Sequence, residues 1–300
     1  MDNKKLKSEN TKLVIAISSR ALFNLDQSHK IFKEKGIEAY AKHQQENEHV
    51  ILEPGVGFTL VKKLLKLNSK KTPIDVILLS RNSADTGLRI FNSIEHYDLN
   101  ISRAAFTRGE STHPFVGAFE ADLFLSSNYN DVQKALQSGY AAASIVESKS
   151  NNSHPSQLRI AFDGDAVIFS DEAERIFQEK GLEAFHENEI LSEKIELKAG
   201  PFKSFLVSLQ KIQSTFPEEN NPIRTALVTA RSAPSHRRVI HTMREWGIRI
   251  DESFFLGGLE KGVFLKQFAA DIFFDDQQQH CESASQYVPT GHVPSGIKNS

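Results

Sequence analysis

Leu158-Arg159-Ile160-Ala161-Phe162-Asp163-Gly164-Asp165 runs from a short apolar, β-rich stretch into two carboxylates separated by one glycine. The pattern reads as a buried parallel strand feeding a functional loop. Three further elements follow it in order: Val228-Thr229-Ala230-Arg231, then Gly257-Gly258-Leu259-Glu260-Lys261, then Phe273-Phe274-Asp275-Asp276. An Asp nucleophile, a second Asp two residues on, a hydroxyl, a lysine and a terminal acidic pair are together what magnesium-dependent phosphoryl transfer needs. None of them says so alone, since an Asp-Gly-Asp turn is commonplace and two acids after a strand can form a solvated turn. Burying two adjacent acids behind an apolar strand is costly without a cation, which favours a site.

Around these elements strands alternate with helices. Leu13–Ile17 and Leu158–Phe162 read as strands, as do Asp75–Leu79 and Thr225–Val228, which follow Pro73 and Pro222. Asp26–Lys42 and Asp171–Glu187 show helical spacing behind an Asp cap and are interrupted by Gly36 and Gly181. Gly57–Leu67 and Pro201–Ile212 continue the helical pattern. The alternation predicts an α/β fold with a parallel sheet covered on both faces. Ligands in such sheets bind beyond the carboxyl ends of the strands, where Asp163, Thr229 and Asp275 converge.

The first half repeats the frame of the second. Ile31-Phe32-Lys33-Glu34-Lys35-Gly36-Ile37-Glu38-Ala39-Tyr40 aligns with Ile176-Phe177-Gln178-Glu179-Lys180-Gly181-Leu182-Glu183-Ala184-Phe185, seven of ten residues being identical at an offset of 145. The same offset sets Ser18-Ser19-Arg20 against Asp163-Gly164-Asp165. A slightly larger one sets Ser80 against Thr229 and Ser126-Ser127 against Asp275-Asp276. Each acidic site position of the second half is thus Ser or Arg in the first. A carboxylate cluster without its cation repels itself, so a copy released from catalysis gains stability by losing it. The alternative, two unrelated halves sharing one amphipathic helix, does not account for matches recurring in order at four places.

The expected division is a charged leader over 1–12, a degenerate half over 13–146 with a structural or effector-binding role, and a linker over 147–157 rich in Ser, Asn and Lys. The catalytic half occupies 158–300, with a cap insertion at about 172–222, and its tail from Tyr287 to Ser300 reads as irregular structure. Three hundred residues, 39% hydrophobic with a net charge of −2, describe a soluble globular chain with no global electrostatic drive toward nucleic acid or an anionic membrane. The leader lacks the apolar stretch of a signal peptide and no segment approaches a membrane span, so the cytoplasm is the default. Cys281, the only cysteine, forms no internal disulfide and excludes a cysteine metal cluster.

Taken together, the four elements of the second half resemble the haloacid dehalogenase superfamily of phosphohydrolases, and more closely the cytosolic type I 5′-nucleotidases. Phe162-Asp163-Gly164-Asp165-Ala166-Val167, Leu227-Val228-Thr229-Ala230-Arg231, Phe255-Leu256-Gly257-Gly258 with Lys261, and Asp271-Ile272-Phe273-Phe274-Asp275-Asp276-Gln277 carry the likeness. Ser80-Arg81-Asn82-Ser83-Ala84-Asp85 with Gly87 extends it into the first half. The resemblance implies a Rossmann-like, internally duplicated fold whose second copy hydrolyses nucleoside 5′-monophosphates, AMP first among them, with Mg2+. It also implies that Asp163 attacks phosphorus, forming an aspartyl-phosphate, and that Asp165 protonates the leaving oxygen and then activates water. Asp163, the backbone carbonyl of Asp165, Asp275 and Asp276 would hold the metal, Asp276 directly, through water or as an orienting group. Members of that family are often oligomers activated by nucleotides, so a nucleotide effector and a homo-oligomer are expectations here.

Thr229 with the amides of Ala230 and Arg231 forms a phosphate-oxygen site at a helix entrance. Lys261 bridges phosphate and Asp163, with Lys266 its competitor for that role. Ser80 and Arg81 are the candidate nucleotide contacts of the first half. Phe177, Phe185, Phe202 and Phe205 either stack a base under the cap or pack into a core. Arg237 and Arg238 either contact phosphate and ribose or line a solvated helix face. Two other readings remain open: a phosphatase of sugar phosphates or other small monoesters, and a nucleotide-binding regulatory protein.

Overall fold

In the computed structural model, which describes residues 12–148 and 154–299, the chain builds one ten-stranded sheet. The leader expected over 1–12, Lys12 apart, and the middle of the expected linker lie outside the described residues. Strands β1 (Leu13–Ser18), β2 (Ile74–Ser80), β3 (Arg103–Phe106), β4 (Leu123–Ser126) and β5 (Ala141–Val146) belong to the first half. Strands β6 (Leu158–Phe162), β7 (Ile223–Thr229), β8 (Glu252–Phe255), β9 (Ile272–Asp275) and β10 (Thr290–His292) belong to the second. Their order is β3-β2-β1-β4-β5-β10-β9-β6-β7-β8, so each half, taken outward from the middle, has the same arrangement. Pairing is parallel within each half, and β5 meets β10 antiparallel with Ile145 opposite Gly291. The carboxyl ends of the two half-sheets therefore point in opposite directions along the sheet.

The tail from Tyr287, expected to be irregular, supplies this central strand. Pro289 and Gly291 hide it from any period-two pattern, but β5 and β9 on either side complete its ladder. Gly291 is required there, because a Cβ would meet the Phe274 ring at 2.8 Å.

The helices of the first half are α1 (Ser19–Leu22), α2 (Asp26–Glu46), α3 (Phe58–Leu67), α4 (Leu88–His96), α5 (His113–Ala118) and α6 (Tyr129–Gln137). Those of the second are α7 (Glu172–Leu191), α8 (Lys203–Gln213), α9 (His236–Glu245), α10 (Gly262–Phe268) and α11 (Gln278–Ala284). Side chains alternate along the strands as a two-faced sheet demands. Leu13, Ile15 and Ile17 of β1 and Leu158, Ile160 and Phe162 of β6 point into one core shared by both halves, to which α3 and α8 contribute Leu60, Leu64, Phe205 and Leu209. The other face carries two separate clusters, one under α5 and α6 and one under α10 and α11. Of the expected cap stretch 172–222, α8 thus lies in the core with Phe202 and Phe205, while α7 reaches over the carboxyl ends.

Both long helices bend where the sequence places a glycine: Gly36 has φ 81° and Gly181 φ 82°. Asp171 precedes α7, but its carboxylate takes the Arg175 guanidinium instead of a helix amide. The halves also exchange matching contacts. Lys63 of α3 donates to both oxygens of Asp271 at 2.7 and 2.8 Å, and Ser208 of α8 donates to Asp122 at 2.8 Å. Each of these acids also accepts a backbone N–H from its own half, Arg159 for Asp271 and Val14 for Asp122. Among the described residues no helix is long and apolar enough to cross a membrane.

Candidate active site

β6 ends one residue before Asp163, whose amide prolongs the ladder by donating to the Phe274 carbonyl at 2.7 Å. Gly164 follows because a Cβ there would come within 3.2 Å of the Thr229 hydroxyl. The chain then turns sharply, with Ala166 at φ 59°, so that the side chains of Asp163 and Asp165 both stand at the strand end. Thr229 closes β7, and its hydroxyl accepts the Arg231 amide at 3.2 Å. β9 delivers Asp275, and Gly257 and Gly258, at φ 58° and 92°, bend the loop that brings Lys261 to the start of α10.

The carboxylates of Asp163, Asp275 and Asp276 are buried and offer oxygens that all lie within 4.8 Å of one another. Lys261 donates to Asp163 at 2.7 Å and to Asp275 at 2.6 Å, whereas Lys266 stands exposed on α10. Three acids thus face one ammonium. Burial, with Asp275 nearby, pushes the Asp163 carboxyl up to about 7 despite Lys261. Burial and the neighbouring Asp163 and Asp275 push Asp276 up to about 9. Asp275 goes the other way, to about 2, because Lys261 and His280 outweigh its own burial. The same two carboxylates hold the Lys261 ammonium well above its ordinary range, against the effect of burial. An all-oxygen, over-acidic and buried set is what a hard divalent cation matches. The side chain of Asp165 is not in this set.

Asp165 is instead clamped by Arg231, whose Nε and Nη2 each reach a carboxylate oxygen at 2.8 Å. The third corner of that guanidinium, Nη1, donates to Glu189 of α7 at 2.5 Å. Arg238, also buried, donates to the other Glu189 oxygen at 2.8 Å and to the Ile195 carbonyl. Phe185 covers the Arg231 guanidinium at 5.6 Å. The side chains of Arg231 and Arg238 are therefore committed to carboxylates of the protein, while Arg237 is exposed. Of the four candidate phenylalanines, Phe202 and Phe205 are core, Phe185 packs on Arg231, and Phe177 alone is substantially exposed.

Glu189 escaped the sequence reading, although the 145-residue repeat pointed to it through Gln44. His280, whose Nδ1 lies 3.4 Å from Asp275, and His292, which meets the Asp276 carbonyl at 2.9 Å, carried no local pattern. Ser80 and Arg81 are not brought to this cluster. They belong to the carboxyl end of the first half-sheet, where Arg81 is clamped on Asp131.

The sequence matches the 5′-nucleotidase family over residues 5–300. The chain belongs to that family. It is 40% identical over 288 residues to human cytosolic 5′-nucleotidase 1B, a match that covers 91% of this chain. The chain spans about half the length, 47%, of that curated relative. No solved structure matches it. The acidic cluster and Thr229 lie at the carboxyl ends of three neighbouring strands of the second half-sheet, β9, β6 and β7, and Lys261 reaches them from the start of α10.

Proposed function

We propose that the second half is a Mg2+-dependent 5′-nucleotidase that hydrolyses nucleoside 5′-monophosphates, AMP foremost, in the cytosol. The observation that carries this reading is the convergence of Asp163, Asp275 and Asp276 within 4.8 Å around the Lys261 ammonium. An Asp163 oxygen attacks phosphorus and the bond to O5′ breaks, while Asp165 supplies the proton that the departing oxygen needs. Water then attacks the aspartyl-phosphate, gives its proton to Asp165 and releases phosphate. Arg231 orients the Asp165 carboxyl, with both hydrogen bonds in place once the proton has been given up, and Glu189 fixes Arg231. Thr229 with the amides of Ala230 and Arg231 receives the phosphate oxygens, and Lys261 offsets charge between them and Asp163. Asp163, the Asp165 carbonyl, Asp275 and Asp276 would hold the cation, which when bound neutralises both phosphate and carboxylates.

We further infer that the halves descend from one duplicated unit, a reading supported by their shared strand order and by paired hydrogen bonds. Arg89 donates to the Val50 carbonyl at 2.8 Å as Arg238 does to Ile195 at 2.9 Å. The Leu52 amide meets the Ser93 hydroxyl at 3.0 Å as the Leu197 amide meets Thr242 at 2.9 Å. In this reading the first half is the effector-binding or structural copy, and Ser80 and Arg81 belong to its pocket. A homo-oligomer is part of the same reading.

Phosphate release from AMP, other nucleoside monophosphates and sugar phosphates, with Mg2+ or chelator, tests it. Mg2+-dependent release from nucleotides that Asp163→Asn abolishes is expected. Release confined to sugar phosphates moves the substrate and keeps the chemistry, and release that survives Asp163→Asn overturns the assignment.

A further inference from the structure

The three clustered acids are not aimed in the same way. Asp163 and Asp275 accept from the Lys261 ammonium at 2.7 and 2.6 Å, and Asp275 also accepts the Gln277 amide at 2.8 Å. Among the described residues no hydrogen-bond donor reaches the Asp276 carboxylate, although it is buried with the other two. A side chain that nothing holds by its oxygens takes its direction from its own backbone.

That backbone is gripped at one atom. The Asp276 carbonyl accepts His292 Nε2 at 2.9 Å and Asn299 Nδ2 at 2.8 Å, so it meets two side-chain donors, one for each lone pair. His292 closes β10 at the seam of the sheet, opposite Asp275 on one side and Ser144 on the other. It is buried, and its ring lies nearly parallel to that of Tyr129 with centroids 6.1 Å apart, so a residue of the first half fixes the plane from which Nε2 donates. Asn299 arrives from beyond the strand. Its Nδ2 also donates to the Ser295 carbonyl at 2.7 Å, which ties the loop after β10 to itself. Gly296, at φ 76°, lets that loop lie on the turn after Asp165, where a Cβ would come within 2.7 Å of Ala166. The first half shows the converse. Ser127 stands there in place of Asp276 and Ser144 holds the register position of His292, and among the described residues no side-chain donor meets the Ser127 carbonyl. The half without the acid also lacks the grip on it.

We propose that His292 and Asn299 are positioning residues for the cation: by holding the Asp276 carbonyl they keep its carboxylate in the space shared with Asp163 and Asp275. The inference rests on the reading of that cluster as a Mg2+ site, and it adds two residues that none of the four sequence elements contains. Neither side chain touches the cation or the phosphate ester, and each acts through one peptide oxygen. Groups that orient a metal ligand in this way are worth about ten- to a hundredfold in metal affinity.

The experiment is calorimetric titration of the full chain with Mg2+ alone. Asn299→Ala and His292→Ala are each expected to weaken Mg2+ about tenfold. His292→Gln, whose side-chain amide can donate where Nε2 does, should recover most of that loss, which a packing defect at the seam would not allow. Lys298→Met removes only a surface pair with Glu174 and should leave the affinity within about twofold, which separates docking of the loop from its grip on Asp276. Should His292→Ala fail to fold, Asn299→Ala, on a partly exposed loop, carries the test. Unchanged affinity in Asn299→Ala overturns the inference, as does an equal loss in Lys298→Met. The two readings part on Asp275→Asn. Mg2+ uptake that this change abolishes but Asn299→Ala leaves untouched sinks the inference alone, whereas no uptake by the unaltered chain, or uptake indifferent to Asp275→Asn, sinks the cation reading and the inference with it.

Discussion

Two sets of side chains stand at the carboxyl ends of the same strand order in one sheet, and they differ almost wholly in charge. The second holds Asp163, Asp275 and Asp276 around Lys261; the first holds Ser18, Ser126 and Ser127 near Thr112. The bonds that position the chain are retained in both, as the pairs Arg89 with Arg238 and Ser93 with Thr242 attest. The fold therefore does not depend on the acids, which by their mutual repulsion oppose it. What is found in both halves serves packing, and what is found only in the second is not needed for it.

The comparison breaks most easily at its largest expected effect. Asp163→Asn should lower Mg2+-dependent phosphate release by roughly 10⁴-fold or more, as loss of a nucleophile does. Ser18→Ala at the matching position should change it less than tenfold. Comparable losses in a steady-state assay would show that the halves share the chemistry.

The next contrast is in stability. Glu189 is buried between two arginines, so Glu189→Ala should cost about 3–5 kcal/mol in a urea melt, the range for breaking a buried ion pair from one side. Gln44, its counterpart, gives Arg89 only one 3.3 Å hydrogen bond, and Gln44→Ala should cost about 1–2 kcal/mol. Equal costs would mean that the charge at 189 adds nothing to packing.

How much of this was legible follows from where each group gets its partners. Asp163, Thr229, Lys261 and Asp275 could be found because a strand end and a glycine loop mark them locally. Glu189 looked like one more helix acid, because its partner Arg231 lies 42 residues away on another element. β10 was missed because a strand of three residues takes its identity from its neighbours rather than from its own pattern. The alternation of strands and helices needed only local periodicity, whereas the antiparallel β5–β10 seam is a property of the assembled sheet.

pH should distinguish the two sets through stability in EDTA. Asp163 and Asp276 are pushed up to about 7 and about 9, so the folded state holds protons that the unfolded chain releases near pH 4. Stability is then greatest in acid and falls as pH rises through those values. Between pH 6 and 9 the melting temperature in EDTA should therefore fall steadily as pH rises, as a calorimetric scan at each pH would show. Mg2+ should reverse the drop by favouring the ionised carboxylates. Asp163→Asn should reduce it, and a slope insensitive to that change would remove the cluster as its cause.

The smallest effect concerns the contacts that join the halves. Asp271 and Asp122 occupy matching positions and each accepts from the other half, but one partner is a lysine and the other a serine. Lys63→Met strips the counter-ion from a carboxylate that is wholly buried, leaving it the Arg159 amide, and should cost about 2–3 kcal/mol. Ser208→Ala removes one neutral donor while the Val14 amide remains, and should cost about 1 kcal/mol. If denaturant melts show the opposite order, the seam is held by its shared apolar core rather than by its ions. The two half-sheets would then be joined by Leu60, Leu64, Phe205 and Leu209 of α3 and α8, the helices that pack across the middle of the sheet.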